Sequence, residues 1–170
     1  IFEHLSLSAK MFTESHHILF SLYRECRNSN SPFYKLLCGY KIIEEIGKSR
    51  VLRETDKKLE ELAINDRRRE IRITIEHLHL AKAIIRYPQF LGIKVQKFQE
   101  EIRDARNKIA HTFLNDGSSY DFDVADSKID VTIMANLADL CARELLREEV
   151  RLLQMIYNKQ FLDNGAPQTE

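Results

Sequence analysis

Residues 31–47, SPFYKLLCGYKIIEEIG, show the clearest helical pattern in the chain. Serine followed by proline suits the start of an α-helix, because serine caps free backbone N–H groups and proline has none to cap. After this start the apolar residues recur every three or four positions, which places them on one helical face. They are Phe33, Leu36, Leu37, Tyr40, Ile43 and Ile46. The stretch therefore predicts an amphipathic helix that packs into a core.

The segments on both sides have the same character. Only five glycines and three prolines occur in 170 residues, and abundant leucine, isoleucine, lysine, arginine and glutamate favour helices over strands. We predict an all-α bundle of five to six helices. Their ranges are about 3–28, the helix that starts at Ser31, one broken or two separate helices over 52–87, about 94–114, and about 128–161.

The length of the chain suits a single domain with its own core. We expect residues 1–163 to form this domain and the polar residues 164–170 to be a flexible tail. Because the chain starts at Ile1 without a methionine, we also expect it to be a fragment of a longer protein.

Composition narrows the class of protein and its compartment. Apolar residues make up 44% of the chain and no apolar run reaches membrane length, so we expect no membrane association. Cys26, Cys38 and Cys141 lie far apart in sequence and favour a reducing, cytoplasmic compartment. Basic and acidic residues are equal at 26 each, so nucleic-acid binding would need a local patch.

The run Arg106-Asn107-Lys108-Ile109-Ala110-His111 lies inside the predicted helix 94–114. A helix of about 3.6 residues per turn places one apolar stripe toward the core. This stripe consists of Val95, Phe98, Ile102, Ala105, Ile109 and Phe113. Arg103, Asn107 and His111 lie on the opposite side. Arg106 and His111 are roughly 140 degrees apart around a straight helix, so a π-bulge, a frayed helix end or a second copy of the chain must bring them together.

This run resembles the signature of the HEPN superfamily, an arginine and a polar residue followed a few positions later by histidine, late in a helical bundle. Many members of that family are metal-independent endoribonucleases whose active site is shared across a dimer interface. By this resemblance Arg106 would hold the scissile phosphate, His111 would act as general acid or base, and Asn107 would orient them. Arg103 and Lys108 are candidate RNA contacts.

The resemblance also implies a homodimer, single-stranded RNA as substrate, a role as toxin or antiviral-defence effector, and a regulatory protein partner. It implies no cofactor and no metal. The chemistry agrees, because RNA carries its own nucleophile in the 2′-hydroxyl. Cleavage then needs a proton shuttle, for which histidine is suited, and a group such as arginine that binds phosphate oxygens.

A second resemblance is to the HEPN-like proteins of methylamine-utilisation clusters. It rests on Phe33-Tyr34-Lys35-Leu36-Leu37 and on residues 106–112, RNKIAHT. It implies no particular chemistry. Phe113 stands where HEPN toxins paired with nucleotidyltransferase antitoxins often carry tyrosine, which argues against control by modification of that position.

Other interpretations stay open. The motif residues are also compatible with an ordinary charged helix surface, or with a non-catalytic domain for dimerisation, RNA binding or protein docking. The histidine pairs 16–17 and 77–79 are badly spaced for a shared metal, so we interpret them as surface or core histidines. The densest basic run, Arg67, Arg68, Arg69 and Arg72, lies among acidic residues and is interpreted as a solvated helix.

Overall fold

The computed structural model describes residues 12–48, 50–107 and 125–163. Within these ranges the chain is mostly helical and its only β-pairing is an isolated bridge, which confirms the all-α fold class. The helices are α1 (Glu14–Asn28), α2 (Pro32–Lys48), α3 (Arg50–Glu61), α4 (Ile75–Leu80), α5 (Val95–Glu101) and α6 (Ala125–Asp163). A short 3-10 helix covers Pro88–Phe90, and residues 103–107 are also helical. No described helix is both long enough and apolar enough to cross a membrane.

The two longest helices, α2 and α6, form the centre of the fold. They pack against each other along much of their length, and α2 also contacts α1, α3 and α5. The apolar residues that recur at helical spacing along α6 are all buried. They are Ile133, Leu137, Leu140, Cys141, Leu145, Leu152, Leu153 and Ile156. Because one continuous apolar face drives this packing, the periodic sequence pattern located α6 to within a few residues.

The predicted start of α2 is confirmed. Pro32 is its first residue, and the Ser31 hydroxyl accepts a hydrogen bond from the Tyr34 N–H at 3.3 Å. The Ser31 carbonyl accepts another from the Lys35 N–H at 3.0 Å. The first contact satisfies a backbone donor that a helix start leaves free, and the second is the first hydrogen bond of the helix itself.

α1 starts later than the sequence pattern predicted. Thr13 has an extended backbone, with φ −73° and ψ 165°, and acts as the N-cap of a helix that begins at Glu14. Its backbone N–H donates to Nδ1 of His16 at 3.2 Å. Because this cap marks the first turn of α1, the helix does not extend further toward the N-terminus, and the prediction is wrong at residues 12 and 13. Residues 3–11 lie outside the described residues.

The region 52–87 was predicted as one broken helix or two, and the structure confirms the break, which covers residues 62–74. The prediction is wrong at residues 81–87, because α4 ends at Leu80. Ala63 takes a left-handed conformation, with φ 50°, and turns the chain out of α3. Residues 71–73 then pair with residues 92–95 through backbone hydrogen bonds of 2.8 to 3.1 Å. This pairing satisfies backbone N–H and C=O groups of residues 71–73 without a helix. The break is therefore longer than the helix-forming composition of this segment suggests.

α5 begins at Val95, close to the predicted position. At Ile102 the backbone leaves helical geometry, with φ −90° and ψ 3°, and it becomes helical again at residues 103–107. Val95, Phe98 and Ile102 are fully buried, as the predicted stripe requires. The rest of the predicted helix, residues 108–114, and the predicted tail, residues 164–170, lie outside the described residues.

Candidate functional site

Arg106 lies beside the central helix of the bundle. Its guanidinium stands over the ring of Tyr40, with Cζ 5.3 Å from the ring centroid. Tyr40 belongs to α2 and is only 3% exposed, whereas Arg106 is half-buried. The Arg106 N–H donates to the Ile102 carbonyl at 3.0 Å, which continues the helix past the irregular residue. Tertiary packing therefore places a cationic side chain on a buried aromatic ring.

The neighbouring Asn107 contacts the same guanidinium. Nη1 of Arg106 donates a hydrogen bond to Oδ1 of Asn107 at 3.0 Å. Arg103, one turn earlier, is exposed. The structure thus describes three of the five predicted RNA-site residues and brings two of them into contact. Lys108 and His111 lie outside the described residues.

The charge environment of Arg106 differs from that of the arginines that pair with carboxylates across the fold. Arg27 pairs with Asp139 at 2.8 Å, Arg151 pairs with Asp66 at 2.7 Å, and Arg68 pairs with Glu149. In the part of the chain that the structure describes, Arg106 forms no ion pair. A guanidinium has five N–H donors. Within the described residues Arg106 uses one of them, on Asn107.

The basic run at residues 67–72 is not the solvated helix that the sequence pattern suggested. It lies in the non-helical segment after α3, and the Arg68 side chain is only 19% exposed. Arg68 pairs with Glu149 and, through Nη2, with Asp56 at 3.2 Å. The prediction failed because Glu149 comes from a distant part of the chain, while Asp56 lies on the preceding helix α3. A guanidinium enclosed by two carboxylates has little capacity left for RNA phosphate.

Glu149 is the centre of a buried polar cluster that the sequence reasoning missed. Its carboxylate is fully buried on α6 and accepts hydrogen bonds from Arg68, from the Thr55 hydroxyl and, at 3.1 Å, from Nε2 of His16. Burial alone raises the pKa of Glu149, but the hydrogen bonds and charge of these partners outweigh it and hold the pKa below its usual value. The cluster joins α1, α3 and the 62–74 segment to α6.

A signal for this cluster was present in the sequence. Glu149 follows Leu145 by four residues and precedes Leu152 by three, so it occupies a core position on the apolar stripe of α6. A charged residue at such a position is buried only when it is paired. The partner could not be identified from the stripe itself.

The histidines support the interpretation as surface and core residues. His16 is buried in the Glu149 cluster and His17 is exposed. His77 is buried and caps α4, because the Thr74 N–H donates to its Nδ1 at 3.0 Å; burial lowers the pKa of His77. His79 is exposed. Among the described residues no three histidine, cysteine or acidic side chains are grouped as metal ligands would be.

Two surface clefts lie away from Arg106. A polar cleft of 720 Å³ is lined by Asp56, Leu59, Glu60, Ile64, Asn65, Asp66, Arg67 and Arg68. An apolar groove of 560 Å³ is lined by Ala81, Lys82, Lys128, Ile129, Thr132, Ile133 and Asn136. The polar cleft contains opposite charges that are already paired with one another or with α6, whereas the apolar groove has a surface suited to a protein partner.

Comparison with known proteins gives one family. The family model of methylamine utilization protein MauJ matches residues 19–147. This span includes Tyr40, Arg106 and Asn107. No curated protein and no solved structure matches the chain.

Proposed function

The chain belongs to the MauJ family of methylamine utilization proteins, and on this premise we propose that it is a HEPN-like, metal-independent endoribonuclease. The observation that carries the proposal is the Arg106 guanidinium, which has no ion pair among the described residues, stacks on Tyr40 and contacts Asn107. The proposed substrate is single-stranded RNA. The proposed role is that of a toxin or antiviral-defence effector under the control of a regulatory protein partner.

The proposed reaction is an internal phosphoryl transfer within the RNA. His111 removes the proton of the 2′-hydroxyl, whose oxygen forms a bond to the adjacent phosphorus. The bond from phosphorus to the 5′-oxygen breaks, and that oxygen leaves with a proton from a second acid, which leaves a cyclic phosphate and a 5′-hydroxyl. Arg106 stabilises the phosphate oxygens through paired N–H donors, and Asn107 orients Arg106.

The proposed active site combines residues of two copies of the chain. Arg106 and His111 are roughly 140 degrees apart around a straight helix, which is too far for both to contact one phosphate. Arg106 is turned toward α2, where Tyr40 lies. A second copy, related by two-fold symmetry, would supply the histidine that one helix cannot place.

Cleavage of labelled single-stranded RNA in the presence of EDTA tests this proposal. The purified protein should form 5′-hydroxyl products, and both Arg106→Ala and His111→Ala should abolish them while thermal unfolding stays unchanged. Arg147→Ala is the matched control, because Arg147 is an exposed arginine of α6 paired with Glu144. Full activity of His111→Ala would contradict the catalytic assignment.

Mixing the two inactive variants tests the shared site. A mixed dimer of Arg106→Ala and His111→Ala chains contains one intact arginine and one intact histidine on different copies. If the active site is composite, the mixture should recover part of the cleavage activity. No recovery from a mixture that exchanges subunits would show that each copy works alone.

A second candidate function is non-catalytic docking or dimerisation, and the apolar groove between the end of α4 and the start of α6 favours it. Ile129 is 48% exposed and, with Ala81 and Ile133, gives this groove an apolar surface of the kind on which a partner packs. This function predicts self-association or partner binding without RNA cleavage. The EDTA cleavage experiment separates the two candidates.

A further inference from the structure

The stacked pair of Tyr40 and Arg106 joins two parts of the fold with different exposure. The ring belongs to the core, and the guanidinium lies at the edge of the core. A cation within about 6 Å of a tyrosine ring is attracted by the negative face of the ring. The measured separation of 5.3 Å lies within this range.

The orientation leaves useful donors available. A guanidinium is planar, so a ring that covers its face leaves the N–H groups along its edges. Nη1 of Arg106 donates to Asn107, whereas Nε and Nη2 donate to no described residue. The protein therefore holds one donor of Arg106 through Asn107 and keeps the guanidinium carbon near the Tyr40 ring, while Nε and Nη2 lie on one edge with the paired geometry that suits phosphate oxygens.

The ring itself is held rigidly. Tyr40 follows Gly39, the residue at which α2 comes into close contact with Ala138 of α6. Tyr40 also belongs to the large apolar core together with Ile43 and Phe98. Because a buried ring at a tightly packed position has few alternative rotamers, it is a fixed platform for a flexible side chain.

We propose that Tyr40 is a positioning residue, whose ring holds the Arg106 guanidinium so that its free edge meets an RNA phosphate. This inference rests on the proposed ribonuclease function. A free arginine side chain has considerable rotamer entropy, which must be lost when it binds a phosphate. Stacking on Tyr40 removes part of this entropy before RNA arrives, and so favours the catalytic geometry.

Two substitutions of Tyr40 distinguish the contribution of its aromatic ring from the contributions of its hydroxyl group and of its packing in the core. Tyr40→Phe keeps the ring, and we expect its kcat for RNA cleavage to stay within about twofold of the original, because the ring quadrupole remains. Tyr40→Leu keeps an apolar side chain but removes the ring, and we expect kcat to fall at least about tenfold, since small misplacements of reacting groups have effects of this size. Thermal unfolding shows whether each variant is folded.

A spectroscopic measurement tests the position of Arg106 without any RNA. In the unmodified protein and in Tyr40→Phe, the side-chain protons of Arg106 should resonate upfield because of the ring current. In Tyr40→Leu this shift should disappear. Tyr40→Met replaces Tyr40→Leu if the leucine variant does not fold.

The outcomes are distinguishable. If the unmodified protein cleaves no RNA but shows the upfield shift, the proposed function fails while the positioning of Arg106 by Tyr40 stands. If the shift is absent from the unmodified protein, the inference is overturned. It is also overturned if a folded Tyr40→Leu or Tyr40→Met variant keeps the original kcat.

Discussion

Gly39 of α2 lies directly against Ala138 of α6. A Cβ atom built on Gly39 would be 3.0 Å from Cβ of Ala138 and 3.1 Å from its carbonyl carbon. Backbone atoms of a long helix cannot move aside as the end of a flexible side chain can. The close contact of the two central helices therefore depends on the missing side chain at residue 39.

Gly39→Ala should destabilise the protein although alanine favours helices. The higher helix propensity contributes about 1 kcal/mol, whereas overpacking a tight contact costs about 1–3 kcal/mol. We expect a net loss of free energy of unfolding in urea titrations. Gly47→Ala in the same helix is the control, because its Cβ would be 3.5 Å from Cγ of Gln96, an ordinary contact, and this variant should be more stable. Equal effects of both substitutions would contradict the assigned cause.

Ala63→Gly should stabilise the protein. Ala63 has φ 50° at the end of α3 and is exposed, so its methyl group contributes little packing. A left-handed conformation costs a non-glycine residue about 1–2 kcal/mol, and the greater chain entropy of glycine offsets about 0.5–1 kcal/mol of the gain. We expect a gain of about 0.5–1 kcal/mol in urea titrations. Ala105→Gly, in helical residues 103–107, should have the opposite sign.

Glu149→Gln should be among the most destabilising single changes. It removes the buried one of the two carboxylates that compensate the charge of the mostly buried Arg68, and breaking a buried pair costs about 3–5 kcal/mol. Glu61→Gln is the control, since Glu61 pairs with Lys57 on the exposed face of α3 and such pairs contribute about 0.5 kcal/mol or less. A loss below about 1 kcal/mol in Glu149→Gln would mean that the cluster contributes little to stability.

The same cluster predicts a loss of stability in acid. The pKa of Glu149 is lower in the folded chain than its usual value, so the unfolded chain binds more protons as the pH falls. The stabilisation is therefore complete above the unfolded pKa and is lost as the pH falls through the folded pKa. We expect the free energy of unfolding to decrease as the pH falls below the ordinary carboxyl pKa of 4.5. The decrease should be smaller in Glu149→Gln. If this variant has the same pH profile as the unmodified protein, Glu149 is not the cause of the acid sensitivity.

Arg106→Lys should lose RNA cleavage without unfolding. Lysine keeps the positive charge but has neither the planar face for Tyr40 nor paired donors for phosphate. We expect kcat to fall at least about tenfold, equivalent to about 1.4 kcal/mol of transition-state stabilisation. Arg147→Lys, at an exposed position, should keep full activity. An active Arg106→Lys variant would show that charge alone is sufficient.

Local sequence patterns predicted the parts of the fold that depend on local physics. The start of α2 followed from Ser31 and Pro32, and the extent of α6 followed from its apolar spacing. The break in the region 52–87 also followed, but its extent over residues 62–74 did not, because charged helix-forming residues there are held by pairing with residues 92–95 and by a carboxylate of α6. Composition records propensity, whereas the tertiary contacts decide which backbone groups find partners.

For the candidate site as well, the sequence supplied one part of the information and the tertiary structure supplied the other. Sequence spacing identified Arg106, Asn107 and His111 and placed a core stripe behind them, but it could not show that Tyr40, far away in the chain, lies under the Arg106 guanidinium. Nor could it show that Arg68 is paired and Arg106 is free of ion pairs among the described residues.

By itself, the sequence determined the all-α class and the two central helices, because helix periodicity and capping act over a few neighbouring positions. The motif residues were predicted from the family resemblance. Only the tertiary structure decided which arginine is enclosed by carboxylates and which one stacks on a buried ring. Both outcomes depend on electrostatic and packing contacts between residues that the chain brings together only when α2 and α6 close around the core.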